Sequence, residues 1–360
     1  MEIAPYKGGD AKLPGRGRVL RLASNESPLG PSPRAVEAYR ALAPELHRYP
    51  DGGAEELRAA IARTHDLPAD RIVCGAGSDE LISLLARAYA GPGDEVLYSQ
   101  YGFLMYPIAA KTVGATPVAA PARDYGADVD ALLARVTPRT RLVLLANPNN
   151  PTGTLLPASE LRRLQAGLPA EALLVLDAAY AEYVGDADYE DGRALVRDGG
   201  NTVMLRTFSK IYGLAAVRLG WAYCPAEVAD VLNRVRGPFN VPAPAQAAGI
   251  AAVGDRDHVA RARAHNDRWL PWLEAKLREL GLEPVPSAGN FLLLRFPDPA
   301  LGADKAAEFL NGRGILPRKL GPYGLADCLR ITIGLAAENE AVAAALADFT
   351  APAARRAGAR

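Results

Sequence analysis

What limits this chain most is a set of strand-sized apolar runs, each closing on a polar residue. RLVLLA leads into NPNNPTG, ALLVL ends at Asp177, and TVMLRT leads into FSK with Lys210. Runs of that length without alternation read as strands buried on both faces. Helical stretches separate them: RAVEAYRALA after Pro33, GAEELRAAIART, a helix opening near Ser78, VDALLARV and SELRRLQAG. Apolar strands alternating with helices predict an α/β fold with a mainly parallel sheet between helices. Parallel strands bring their carboxyl ends to one edge, where α/β proteins place their ligands. Asn150, Asp177 and Lys210 are therefore expected at one crevice.

Composition narrows the function classes. The 360 residues carry 41 basic and 41 acidic side chains, so nothing draws the whole chain to nucleic acid. Three scattered cysteines, Cys74, Cys224 and Cys328, and four histidines without ligand spacing argue against a disulfide scaffold and a metal site. No apolar run reaches membrane-spanning length, and MEIAPYKGGDAK has no signal core. The expected compartment is the cytoplasm. Residues 1–30 read as an irregular arm, and 31–240 as a large α/β domain. The Pro-rich GPFNVPAP marks a break. Residues 241–350 read as a smaller α+β domain and 351–360 as a flexible tail. Pro271 is a place for the long helical run around it to bend or stop.

A lysine at a strand end is usually a surface residue; its company gives Lys210 another meaning. Pyridoxal phosphate chemistry needs an amine for a Schiff base, which Lys210 supplies. It needs a carboxylate to keep the pyridine nitrogen protonated, which Asp177 supplies. Asn150 and the Tyr180 hydroxyl offer hydrogen bonds to the ring's 3'-oxygen. GAGSDE offers backbone N–H groups at a helix start for the phosphate, and Arg218 a guanidinium fork.

With those residues in place, the chain resembles the fold-type I pyridoxal-phosphate aminotransferases. More narrowly it is similar to the histidinol-phosphate aminotransferase family of class II. The motifs are SNESPLG, HRYPDGG, GAGSDE, YGFLMYP, NPNNPTG, DAAYAEY, TFSKIYGLAAVRLGW, AGNFLLLRF, GILPRKL and LRITIG. The resemblance implies an N-terminal arm over residues 1–30 that closes on substrate, a large domain with a seven-stranded sheet, a smaller α+β domain and a homodimer with shared active sites. It implies that Lys210 carries the cofactor and shuttles protons, and that Ser78, Asp79, Ser209 and Arg218 form the phosphate cup. Phe103 would stack on the ring, and Tyr49 would reach the cofactor phosphate of the other subunit. Tyr6, Arg318 and Arg330 would bind the substrate's anionic end, with Asn25 and Asn290 as further substrate-side candidates. The implied reaction is transamination between histidinol phosphate and 2-oxoglutarate. Other readings are an aromatic or broad-range aminotransferase, a lyase such as a threonine-phosphate decarboxylase, and a cofactor-binding protein without turnover.

Overall fold

The computed structural model describes residues 3–10, 12–15, 17, 19–197, 201–298 and 301–357. Seven strands form the main sheet: β1 Ile72–Gly75, β2 Glu95–Ser99, β3 Thr116–Ala120, β4 Thr140–Ala146, β5 Leu173–Asp177, β6 Thr202–Thr207 and β7 Gly220–Tyr223. Their order is β1-β7-β6-β5-β4-β2-β3. Only β7 runs against its neighbours; the other pairings are parallel. The expected mainly parallel sheet is present.

The apolar runs sort their side chains by parity. Leu142, Leu144 and Ala146 of β4 pack in one layer with Leu173 and Val175 of β5. Val143 and Leu145 pack in the other with Leu174 and Leu176. Both faces are thus covered, which is why these strands show no polar alternation. The helix Ser78–Tyr89 turns Leu81, Ile82, Leu84 and Leu85 inward to one of those layers.

A second sheet of four antiparallel strands joins Glu283–Val285, Phe291–Arg295, Leu325–Thr332 and Arg318–Leu320, in that order. Its apolar face (Leu292, Leu294, Leu329 and Ile331) packs with Leu273 and Leu277 of the helix Arg256–Glu279 and with Leu346 of the helix Ala336–Ala357. The helix Ala243–Gly254 lies elsewhere. Its Ala245 and Ala248 pack with Leu57 and Ile61 against the large sheet.

Two expectations change. The helix around Pro271 runs from Arg256 to Glu279 without interruption. Pro271 sits on its exposed face, where water can satisfy the carbonyl that proline leaves unpaired. The expected tail from residue 351 is helical as far as Ala357, because an alanine-rich stretch favours continuing a helix already formed. Residues 358–360 lie outside the described residues.

The arm is bonded to the smaller sheet and to the short strand Ile315–Leu316 beside it. Leu20–Arg21 pairs with Ile315–Leu316. Leu22 accepts from the Thr332 N–H, and the Asn25 N–H donates to Thr332 Oγ1 at 2.9 Å.

Candidate active site

Strand register builds the site. Ala146, the last residue of β4, lies opposite Asp177, the last of β5, and Asp177 lies opposite Leu205, two residues before β6 ends. Asp177 at the end of β5, with Asn150 and Lys210 just past the ends of β4 and β6, line one cleft of about 330 Å³. Ser78, Asp79, Phe103, Tyr180, Ser209, Arg218, Tyr6, Asn25 and Arg330 line the same cleft. The arrangement expected from the strand ends is present.

The chain crowds where Ser78, Asp79, Ser209 and Arg218 line the cleft. Gly77 sits at φ +96° before the helix Ser78–Tyr89, and no side chain caps that helix. Its first N–H groups are left for an anion. A Cβ on Gly220 of β7 would come within 2.5 Å of the Ser78 nitrogen, so only glycine lets the strand pass there. Arg218 closes this end, 2.7 Å from Asp79 Oδ1 and 3.2 Å from Ser209 Oγ.

Burial tunes the two central groups in opposite senses. It pushes the Lys210 amine down to about 7, and the nearby Arg330 charge adds to the effect. It pushes the Asp177 carboxyl up to about 6, against hydrogen bonds from Tyr106 and the Ala179 N–H that favour the charged form. The Lys210 amine donates to the Ser24 carbonyl at 3.0 Å. Burial raises the Tyr180 hydroxyl above its ordinary value, which keeps it protonated. Tyr180 accepts from Asn25 Nδ2 at 2.8 Å, so its own hydrogen is free to donate. Arg330 holds Asn150 by Oδ1 and the Ala23 carbonyl by its other nitrogen. That leaves the Asn150 amide nitrogen available as a donor.

Among the described residues, Asp177 Oδ1 is buried without a hydrogen-bond partner. A buried carboxylate oxygen facing a cleft in that state is a socket for a donor. A protonated ring nitrogen fits it. With the Lys210 amine for an aldehyde and the Arg218 end for a phosphate, the residues present fit pyridoxal phosphate.

The sequence matches the family model described as aminotransferase class I and II over residues 17–346. A histidinol-phosphate aminotransferase of Paramagnetospirillum magneticum is 62% identical over 350 residues, covering 97% of this chain and 96% of that protein. The chain belongs to the histidinol-phosphate aminotransferase family, within the class I and II aminotransferases. The Rhodospirillum centenum protein of the same name is 60% identical, covering 97% of this chain and 96% of that one. The crystal structure of histidinol-phosphate aminotransferase from Sinorhizobium meliloti, in complex with pyridoxal-5'-phosphate, matches with a TM-score of 0.87 at 30% identity. The match covers 93% of this chain and 92% of that one.

Three residues expected at the aminotransferase site stand back from the cleft wall. Arg318 is buried beside it and donates to the Lys7 and Gly8 carbonyls of the arm. Asn290 supports the arm by donating to the Asn25 carbonyl at 3.1 Å. Tyr49 is 83% exposed and stacks on Phe239, ring centres 4.7 Å apart. Sequence reasoning also missed a contact: Tyr106 donates to Asp177 Oδ2 at 3.0 Å. Its only signal was spacing, three residues beyond Phe103, within one helical turn.

Proposed function

We propose that this chain transfers an amino group reversibly between L-histidinol phosphate and 2-oxoglutarate, giving imidazole-acetol phosphate and L-glutamate, a step of histidine biosynthesis, with pyridoxal 5'-phosphate as cofactor. The observation that carries the chemistry is the seating of Lys210 and Asp177 at neighbouring strand ends, with one Asp177 oxygen buried and unpaired. Relatives named histidinol-phosphate aminotransferase, 51–62% identical, support the substrate.

Bound there, the cofactor supplies an aldehyde that condenses with amines and a ring that accepts electrons. The rest falls to the chain. Lys210, its amine lowered to about 7, is a nucleophile near neutral pH. The same amine would take the proton from the substrate's nitrogen-bearing carbon. Asp177 Oδ1 holds the ring nitrogen's proton. Asn150 and Tyr180 donate to the 3'-oxygen, and Phe103 covers the ring face. Arg218, Ser209 and the N–H groups of Ser78 and Asp79 bind the phosphate, while the Asp79 carboxylate orients Arg218. Arg330, Arg318 and Tyr6 receive the substrate's anion, a phosphate or a carboxylate, since a guanidinium fork suits both. Arg318 does so by exchanging the arm's carbonyls for it; Asn25 and Asn290 order the arm.

We further propose a homodimer in the cytoplasm. Exposed Tyr39, Leu46, Tyr49 and Phe239 supply apolar surface for it, and Tyr49 reaches the cofactor phosphate of the partner subunit. The proposed division is an arm to residue 30, a large domain over 31–240 that the helix Ala243–Gly254 joins by its packing, a smaller one over the rest of 241–350 and a terminal segment over 351–360.

The test is a steady-state comparison of histidinol phosphate, phenylalanine and aspartate as donors to 2-oxoglutarate. Histidinol phosphate is expected to have the highest kcat/KM. A higher value for phenylalanine would make the chain an aromatic aminotransferase. Carbon dioxide release without keto-acid consumption would make it a lyase.

A further inference from the structure

Tyr106 is among the largest fully buried side chains, in the first turn of the helix Met105–Thr112. A buried phenol needs a hydrogen-bond partner, and a backbone carbonyl would serve. Here the partner is Asp177 Oδ2, 3.0 Å away, while Oδ1 of the same carboxyl is buried and unpaired. The ring is fixed from two sides. Phe103 meets it edge-on, centres 6.0 Å apart at 90°. Gly102 leaves it room, since a Cβ there would lie 3.1 Å from the Tyr106 ring and 2.9 Å from the Ser99 carbonyl.

We propose that Tyr106 is a positioning residue for the reaction: it holds Asp177 by one oxygen, fixes the carboxyl plane, and leaves the other oxygen to the cofactor's ring nitrogen. The role rests on the cofactor assignment and extends it. Because Phe103 and Tyr106 share one turn, a single local fold sets both the wall over the ring face and the anchor behind the ring nitrogen. The hydroxyl also favours the charged carboxylate in a site whose burial opposes it. Burial raises Tyr106 itself well above its ordinary value, so it stays a donor across the working pH range. The other groups facing Asp177 are Lys210, Asp79, Tyr180 and the Ala179 N–H.

The test is Tyr106→Phe, which keeps the ring and deletes the donor. In cofactor-free protein the Asp177 carboxyl is followed by infrared difference titration, assigned by Asp177→Asn. In Tyr106→Phe it is expected to titrate higher than in the parent protein, because the ionised form has lost a donor. Affinity for pyridoxal phosphate, measured by equilibrium dialysis, is expected to fall roughly ten-fold. In an Asp177→Ala background the same substitution is expected to cost nothing further. An unchanged titration in a folded Tyr106→Phe protein overturns the proposal, as does an equal loss of affinity in both backgrounds. If Tyr106→Phe does not fold, 3-fluorotyrosine at 106 replaces it. This better donor is expected to lower the carboxyl's titration, and no change would overturn the proposal. A parent protein that takes up no pyridoxal phosphate overturns the cofactor assignment, while the titration still decides whether Tyr106 governs Asp177.

Discussion

Lys210 and Asp177 share one cleft, and burial moves each toward its neutral form. This has a consequence for stability that can be read without substrate. Lys210 sits at about 7 against an ordinary 10.5, so between those values the unfolded chain holds more protons than the folded one. Lys210 therefore makes the cofactor-free protein more stable as pH rises from about 7 to 10.5. Asp177 sits at about 6 against 3.8. There the folded chain holds more protons, so its contribution to stability falls as pH rises across that window. Melting temperatures of cofactor-free parent protein and Lys210→Met, compared from pH 7 upward, should show the parent gaining on the variant. Parallel curves would mean the amine is not depressed. Lys210→Ala is expected to fold and to lose turnover by several orders of magnitude, as measured by glutamate formation from histidinol phosphate. Lys210, Asp177 and Asn150 were legible in the sequence because each follows an apolar strand, and strand ends carry positional meaning. Tyr106 was not, because a buried aromatic in a helix looks the same whether it packs or orients. Nor could Asn25 be placed firmly, because its partners Tyr180, Thr332 and Asn290 come from distant parts of the chain.

At the scale of elements, the proposed phosphate cup depends on how closely β7 passes the start of the helix Ser78–Tyr89. On Gly220 a Cβ would lie 2.5 Å from the Ser78 nitrogen, 2.7 Å from the Gly77 carbonyl carbon and 3.0 Å from the Arg206 carbonyl oxygen. All three are backbone atoms and have no rotamer to escape into. Gly220→Ala must push the helix start off the sheet, at a cost of about 1–3 kcal/mol. Chemical denaturation should show that loss. Dialysis should show pyridoxal phosphate retained more weakly than inorganic phosphate binding alone would suggest, since the helix N–H groups and Lys210 no longer keep register. Arg218→Ala, which removes the fork but not the turn, is expected to weaken cofactor retention roughly ten-fold with little change in melting of the cofactor-free protein. Periodicity revealed most of these elements, since parity in β4 and β5 reflects two covered faces. It could not reveal that β7 runs antiparallel, because strand direction leaves no mark on hydrophobic pattern. It also misjudged Pro271, whose tolerance depends on an exposed helix face that only tertiary packing defines.

For the whole molecule, under the proposed dimer, the arm and the exposed aromatic pair decide how complete one chain's site is. Within the chain, the arm's Ser24 and Ala23 carbonyls hold Lys210 and Arg330, and Asn290 holds the arm in turn. Tyr49 points away from all of this, stacked on Phe239 at the surface. If Tyr49 serves the partner subunit, the two defects Lys210→Ala and Tyr49→Ala lie on opposite chains of each complete site. Each variant alone has two damaged sites per dimer. A hybrid dimer has one site with both defects and one with neither, because the Tyr49→Ala chain supplies Lys210 and the Lys210→Ala chain supplies Tyr49. Unfolding and refolding an equal mixture makes half the dimers hybrid, so activity should recover to about a quarter of the parent value. If Tyr49 acts within its own chain, mixing rescues nothing, because every site with an intact lysine then carries the Tyr49 defect. Size-exclusion with light scattering on the same samples separates that outcome from a failure to pair. Monomers would show no recovery and half the mass, whereas dimers without recovery would mean that Tyr49 acts in its own chain's site.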